Sequence, residues 1–230
     1  MDNFLNLPET DILKAFEEAA ARKNVNLIII EKDFWVCWTL KQLYSIPEIS
    51  KYITFKGGTS LSKSFGLIER FSEDIDLTIS KSYPSLSKIA DPLVKNISGK
   101  ERERRIDALM MNAQDFISKL ILPKLYNKFS QILQTDKKWN LNLDDGDKQT
   151  ILFSYPKINK TLYSVILKNE YIRPIIRLEF GARGDTTPYS NKYVTTLQKA
   201  LTIEISNKQK MFNNKITAGK IIVKDHYTGK

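Results

Sequence analysis

A strand, two glycines, a helix and a second strand in quick succession constrain this chain more than any other feature of its 230 residues. The stretch Phe55-Lys-Gly-Gly-Thr-Ser-Leu-Ser-Lys63 predicts the end of a strand, a glycine turn and the start of a helix. Gly57 and Gly58 can take backbone conformations closed to other residues, and they let a ligand approach the main chain closely. Thr59 or Ser60 is expected to cap a helix that carries Leu61, Phe65 and Ile68 on one face. Free N–H groups at such a helix start suit a phosphate. A glycine pair before a helix is also ordinary chain punctuation, so the turn alone does not establish a ligand.

The stretch that follows, Arg70-Phe-Ser-Glu-Asp-Ile-Asp-Leu-Thr-Ile79, alternates cleanly. As a strand it places Ile75, Leu77 and Ile79 on one face and Asp74, Asp76 and Thr78 on the other. Such a strand could simply present a solvated face. Carboxylates two residues apart on one face can also share a hard cation such as Mg²⁺, which accepts one or two carboxylates plus substrate phosphates. A phosphate cradle beside a metal clamp is the equipment that phosphoryl and nucleotidyl transfer require.

These two pieces, with Ile30-Glu-Lys-Asp-Phe-Trp-Val-Cys-Trp38 upstream, resemble the AbiEii/AbiGii toxin family of the nucleotidyltransferase superfamily. The likeness covers residues 28–80, with a second short block at 172–183. It implies an α+β fold: a nucleotidyltransferase-like mixed β-sheet flanked by helices. The implied activity is Mg²⁺-dependent transfer of a nucleoside monophosphate from an NTP to an acceptor, RNA and notably tRNA ends among the acceptors. The implied setting is the toxin of a toxin–antitoxin, abortive-infection or phage-defence pair, with a cognate antitoxin as partner. By the same resemblance Gly57, Gly58, Thr59 and Ser60 hold phosphates, Lys63 and Arg70 balance their charge, and Asp74 and Asp76 hold the metal.

Superfamily members bring a third carboxylate from a later strand. Glu179 is the candidate, because Leu-Glu-Phe-Gly-Ala-Arg183 resembles the corresponding family block. Its alternative is a salt bridge with Arg177 or Arg183. The tail departs from the family. An Arg-Thr-Phe-Trp-Glu-Lys helix and a His-Tyr-Tyr-Asp segment are absent as such, and Lys208, Lys210 and Asp225-His-Tyr227 are poor substitutes. That departure keeps a second function open, a catalytically lapsed nucleotide- or RNA-binding module, and a third, a pure interaction protein.

The length suits one domain with a subdomain or two small ones, divided as residues 1–100 and 101–230. The first part is expected to carry the nucleotidyltransferase core. The second is expected to carry a long helix, strands that complete the sheet and a lysine-rich tail. Hydrophobic residues make up 42%, enough for a core. One cysteine and one histidine exclude a disulfide framework and a Cys/His zinc site. No apolar run is long enough to span a bilayer and no signal-peptide pattern opens the chain, so the cytoplasm is the expected compartment. Net charge is +10, and residues 186–230 hold eight lysines against Glu204 and Asp225. Such an excess favours a polyanion such as RNA, and it equally fits a lysine-rich proteome.

Along the chain, residues 9–23 read as an amphipathic helix with Ile12, Leu13, Phe16 and Ala20 on one face. A second helix is expected from Glu31 to Leu43, opened by Lys32 and Asp33 and striped by Phe34, Cys37, Trp38 and Leu40. Residues 101–134 carry the longest helical pattern, which separates the two halves and which Pro123 should kink or divide. Strands are expected at 139–143, 150–155 and 172–181, the first two joined by an Asp144-Asp-Gly-Asp147 turn. In the third, Ile176, Leu178 and Phe180 face one way, Arg177 and Glu179 the other.

Overall fold

The computed structural model describes residues 1–63, 74–133, 138–158, 173–182, 190–194 and 221–225. Its elements run α1 (Asp2–Leu5), α2 (Glu9–Lys23), α3 (Leu27–Tyr44), α4 (Pro47–Ser50), β1 (Ile53–Lys56), α5 (Gly57–Lys63) and β2 (Asp74–Ile79). There follow α6 (Gly99–Phe116), a π-helical turn (Ile117–Ile121), α7 (Leu122–Ile132), β3 (Asn140–Leu143), β4 (Thr150–Ser154), β5 (Ile175–Gly181), β6 (Ser190–Val194) and β7 (Ile221–Asp225). The lysine-rich tail around Lys208 and Lys210, and His226 and Tyr227, lie outside the described residues.

Among the described residues, seven strands join one mixed sheet in the order β3-β4-β5-β2-β1-β7-β6. β5 runs parallel to β2, and β1 runs parallel to β7; the other neighbouring pairs are antiparallel. β5 follows the long divided helix in the chain and lies against β2, so strands from both halves of the chain share one sheet.

That core lies on a single face of the sheet. Period-two alternation sends Ile75, Leu77, Ile79, Ile176, Leu178, Ile151 and Phe153 into it, each fully buried. α3 covers this face. Its side chains are buried almost all round, Trp35, Trp38 and Phe34 included, as expected of a helix enclosed by other elements rather than lying on a surface. Trp35 and Trp38 meet Phe153 at ring-centroid distances of 5.8 and 5.9 Å, and Phe129 of α7 packs on Trp38 at 4.6 Å. The opposite face of β2 and β5 carries Asp74, Asp76, Thr78, Arg177 and Glu179, with Ile175 at the start of β5.

The second helix starts earlier than the sequence pattern predicts. Asn26 caps it, its side chain accepting from the Ile28 N–H at 2.9 Å. Lys32 and Asp33 therefore do not open the helix but lie within it, and with Glu31 they are buried. Glu31 accepts from the Ile158 N–H at 3.0 Å, and the Lys32 ammonium donates to the Arg173 carbonyl at 2.9 Å. The apolar run 27–30 belongs to the first turn, where burial by neighbouring elements overrides the weak local signal. Asn26→Ala is expected to lower stability by about 1 kcal/mol, roughly 2–4 °C in a chain of this size; a melting curve checks it.

Pro123 divides the long helix as expected. Proline offers no N–H to the carbonyl four residues back and crowds it, and the chain answers with the π-helical turn just upstream, where α6 gives way to α7. The Asp144-to-Asp147 segment forms the hairpin turn between β3 and β4. Asp144 accepts from the Gly146 N–H at 2.9 Å, and Asp147 accepts from the Gln149 N–H at 3.0 Å.

Candidate active site

β1 ends at Lys56 and the chain turns straight into α5 at Gly57, with no intervening loop. This needs a left-handed backbone, and Gly57 has φ +76°, the only glycine among the described residues with positive φ. A second requirement is space. A Cβ on Gly57 would stand 1.9 Å from Asp76 Oδ2 and 2.9 Å from Asp76 Cβ. The Asp76 side chain thus lies directly against the glycine main chain. Thr59 and Ser60 do not cap the helix, because the glycine turn starts it two residues earlier; both are buried in its first turns. The Thr59 hydroxyl instead donates to the Asp74 carbonyl, tying α5 to the start of β2.

The sheet then gathers the polar row. Asp76 is the register partner of Lys56 on β1 and of Glu179 on β5, and Asp74 is the partner of Arg177. Residues paired across strands share a face. Lys56, Asp74, Asp76, Arg177 and Glu179 therefore stand together on the side of the sheet away from α3, all partly buried.

Crowding is visible in the electrostatics. Burial raises the Asp76 carboxyl above its usual range, the charges of Glu179 and Asp74 push it further, and Lys56 partly offsets them. Glu179 also takes the alternative expected of it. It accepts from Arg177 Nε at 3.1 Å, while Arg177 Nη1 reaches Asp144 Oδ2 at 3.1 Å. The pair lies on the same face as Asp76, so the salt bridge and the position beside the Asp-x-Asp strand coexist. Neither Arg177 as a bridge between Glu179 and Asp144 nor Lys56 opposite Asp76 was singled out from sequence. Alternation puts Arg177 on the polar side, but only strand pairing identifies what each cation faces. The Lys63 side chain, Arg70 and Arg183 lie outside the described residues.

The donor set consists of carboxylate oxygens alone, the chemistry preferred by Mg²⁺. Two aspartates at one strand end, one of them destabilised by neighbouring negative charge, suit a cation that takes one or two protein carboxylates and completes its shell with substrate and water. Among the described residues no three His, Cys, Asp or Glu side chains converge closely enough to enclose an ion. The hold of Arg177 on Glu179 agrees with that. Cys37 has no part in such chemistry, since burial pushes its thiol up to about 12.

Residues 38–217 match the family described as nucleotidyl transferase AbiEii toxin of type IV toxin–antitoxin systems. Among solved structures, MenT4, a nucleotidyltransferase toxin of Mycobacterium tuberculosis H37Rv, is similar at 14% identity with a TM-score of 0.44. The alignment covers 96% of this chain and 55% of MenT4, so the chain spans just over half of that protein. No curated protein matches the sequence.

Proposed function

This chain belongs to the AbiEii family of nucleotidyltransferase toxins of type IV toxin–antitoxin systems, and we propose that it transfers a nucleoside monophosphate from an NTP to an RNA end at the polar face of β2 and β5. The observation that carries this reading is the register that sets Asp76 beside Glu179 while Gly57 brings the α5 main chain against the Asp76 carboxylate.

In this reading Asp74 and Asp76 hold Mg²⁺, and Gly57, Gly58, Thr59 and Ser60 line the approach of the phosphates. Bound Mg²⁺ would supply charge neutralisation at the reacting phosphate. The acceptor hydroxyl forms a bond to the α-phosphorus, the bond to pyrophosphate breaks, and Glu179 takes the hydroxyl proton once it leaves Arg177. Lys63 and Arg70 remain proposed neighbours of the phosphates. The antitoxin that the family's systems pair with each toxin is the proposed partner, and phage defence by abortive infection the proposed setting. Among the described residues no helix is long and apolar enough to cross a membrane.

The direct test incubates the protein with each α-labelled NTP, Mg²⁺ and total RNA. Labelled RNA that disappears on chelation is the expected outcome. The grip of Arg177 on Glu179 favours a second reading, a lapsed member that binds nucleotide or RNA without transfer. Binding of both with no label transferred from any NTP would establish it in place of the first.

Glu179→Gln keeps the shape of the side chain and removes its charge. It is expected to cut transfer about a hundredfold, within the usual contribution of a positioned acid or base. Thermal stability should barely change, because the lost ion pair with Arg177 is partly exposed. Transfer at the wild-type rate would remove Glu179 from the site and leave the two aspartates in it.

A further inference from the structure

A triphosphate approaching this face meets three carboxylates, so the position of every cation on the face matters. Within β1, β2 and β5 there are two, Arg177 and Lys56. Arg177 is committed, with one ion pair at 3.1 Å to Glu179 and another at 3.1 Å to Asp144.

The Lys56 ammonium makes no hydrogen bond or ion pair among the described residues, although the residue is partly buried and its charge acts on Asp76. Nor does it extend away from the site. The side chain starts on β1 opposite Asp76, crosses β2 and ends over β5, where its Nζ lies 3.6 Å from the place a Cβ would take on Gly181. Gly181 pairs with Thr78, and so stands two residues beyond the Asp76–Glu179 pair along the sheet. Two residues are about 6–7 Å of strand, so the ammonium sits over the part of β5 beyond the Asp76–Glu179 pair, while its charge still acts on Asp76. A lysine ammonium is a compact point charge with three donors and no acceptor, and its natural partner is an anionic oxygen.

We propose that Lys56 is a substrate-positioning residue whose ammonium binds the pyrophosphate portion of the incoming nucleoside triphosphate, beside rather than at the carboxylates. The inference rests on the nucleotidyltransferase reading of this face. It places a phosphate-binding cation on β1, next to the glycine turn. The displacement along β5 sets the reacting α-phosphate at the carboxylates and the leaving phosphates at Lys56. A nucleoside monophosphate would not reach it.

The test compares the full-length wild type with Lys56→Met and Lys56→Arg. Titration calorimetry in Mg²⁺ measures binding of the α,β-methylene analogue of each NTP and of the corresponding monophosphate. Lys56→Met is expected to weaken the triphosphate analogue about tenfold to a hundredfold, the range of a charge-assisted hydrogen bond. Monophosphate binding should stay within about twofold, and Lys56→Arg should retain most of the triphosphate affinity. In turnover the same loss should fall mainly on the KM for NTP.

An unchanged triphosphate affinity overturns the proposal. So does an equal loss for triphosphate and monophosphate, which would mark Lys56 as a structural counter-ion of the aspartates. If wild type transfers label and Lys56→Met does so with unaltered KM, the Lys56 inference fails alone. If wild type binds none of the triphosphate analogues and transfers no label, the reading of the face fails with it.

Discussion

Asp76→Asn is expected to abolish nucleotidyl transfer, by about a thousandfold or more, as losing several kcal/mol of metal-borne charge stabilisation requires. The same change should make the metal-free protein more stable at neutral pH. Burial and the charges of Glu179 and Asp74 raise the folded-state pKa of Asp76 above its ordinary 3.8. A carboxyl raised on folding contributes stability below its unfolded pKa and loses it as pH rises through the folded value. At pH 7 the ionised side chain therefore works against the metal-free fold, and asparagine removes that opposition.

Three measurements check this. Transfer of α-labelled NTP should fall to background. Melting without metal should occur at a higher temperature than in wild type at pH 7, with the difference closing below about pH 4. Added Mg²⁺ should stabilise wild type and not the variant. A variant that transfers normally would remove Asp76 from the site. One that melts lower at neutral pH would show that the Asp76 charge is matched rather than crowded.

Gly57→Ala is the second large effect, and its signature differs. The left-handed backbone at φ +76° costs any residue with a Cβ about 1 kcal/mol or more. The added methyl also has nowhere to go. Rotating the Asp76 carboxylate could relieve the 1.9 Å approach to Oδ2, but not the 2.9 Å approach to Asp76 Cβ, so β2 and the turn must move apart. Transfer should fall as far as in Asp76→Asn, since catalytic geometry tolerates about 1 Å of displacement poorly. Here, however, the melting temperature should fall too. The pair of variants separates chemistry from architecture: one loses activity and gains metal-free stability, the other loses both. Gly57→Ala with wild-type transfer and melting would show that the close approach is not needed.

Part of the geometry of this candidate site was legible in the sequence. Period-two alternation put Asp74 and Asp76 on one face, and the Gly-Gly pair marked the turn, because both signals are local and a few residues of backbone geometry express them. The helix boundaries were less legible. Thr59 and Ser60 look like caps in a linear pattern, yet a single glycine at positive φ started the helix before them. Glu31, Lys32 and Asp33 look like a polar helix start, yet they are buried mid-helix. There Glu31 and Lys32 bond to the backbone of Ile158 and Arg173, residues no local pattern connects to them.

The glycine turn and the Asp-x-Asp strand were legible in the sequence by itself, because each depends on short-range spacing, and the resemblance they carry pointed to the family and to its mixed α and β character. Tertiary structure decided the rest. Glu179 stands beside Asp76 only because β5 docks parallel to β2 in one register, and a slip of one residue would send Leu178 to the polar face in its place. Lys56 faces Asp76 only because β1 and β2 pair antiparallel around the α5 connection. Arg177 bridges Glu179 to Asp144 only because the hairpin turn between β3 and β4 closes beside β5. Alternation assigns a side chain to a face, whereas its neighbours on that face are set by hydrogen-bond register between strands distant in the chain.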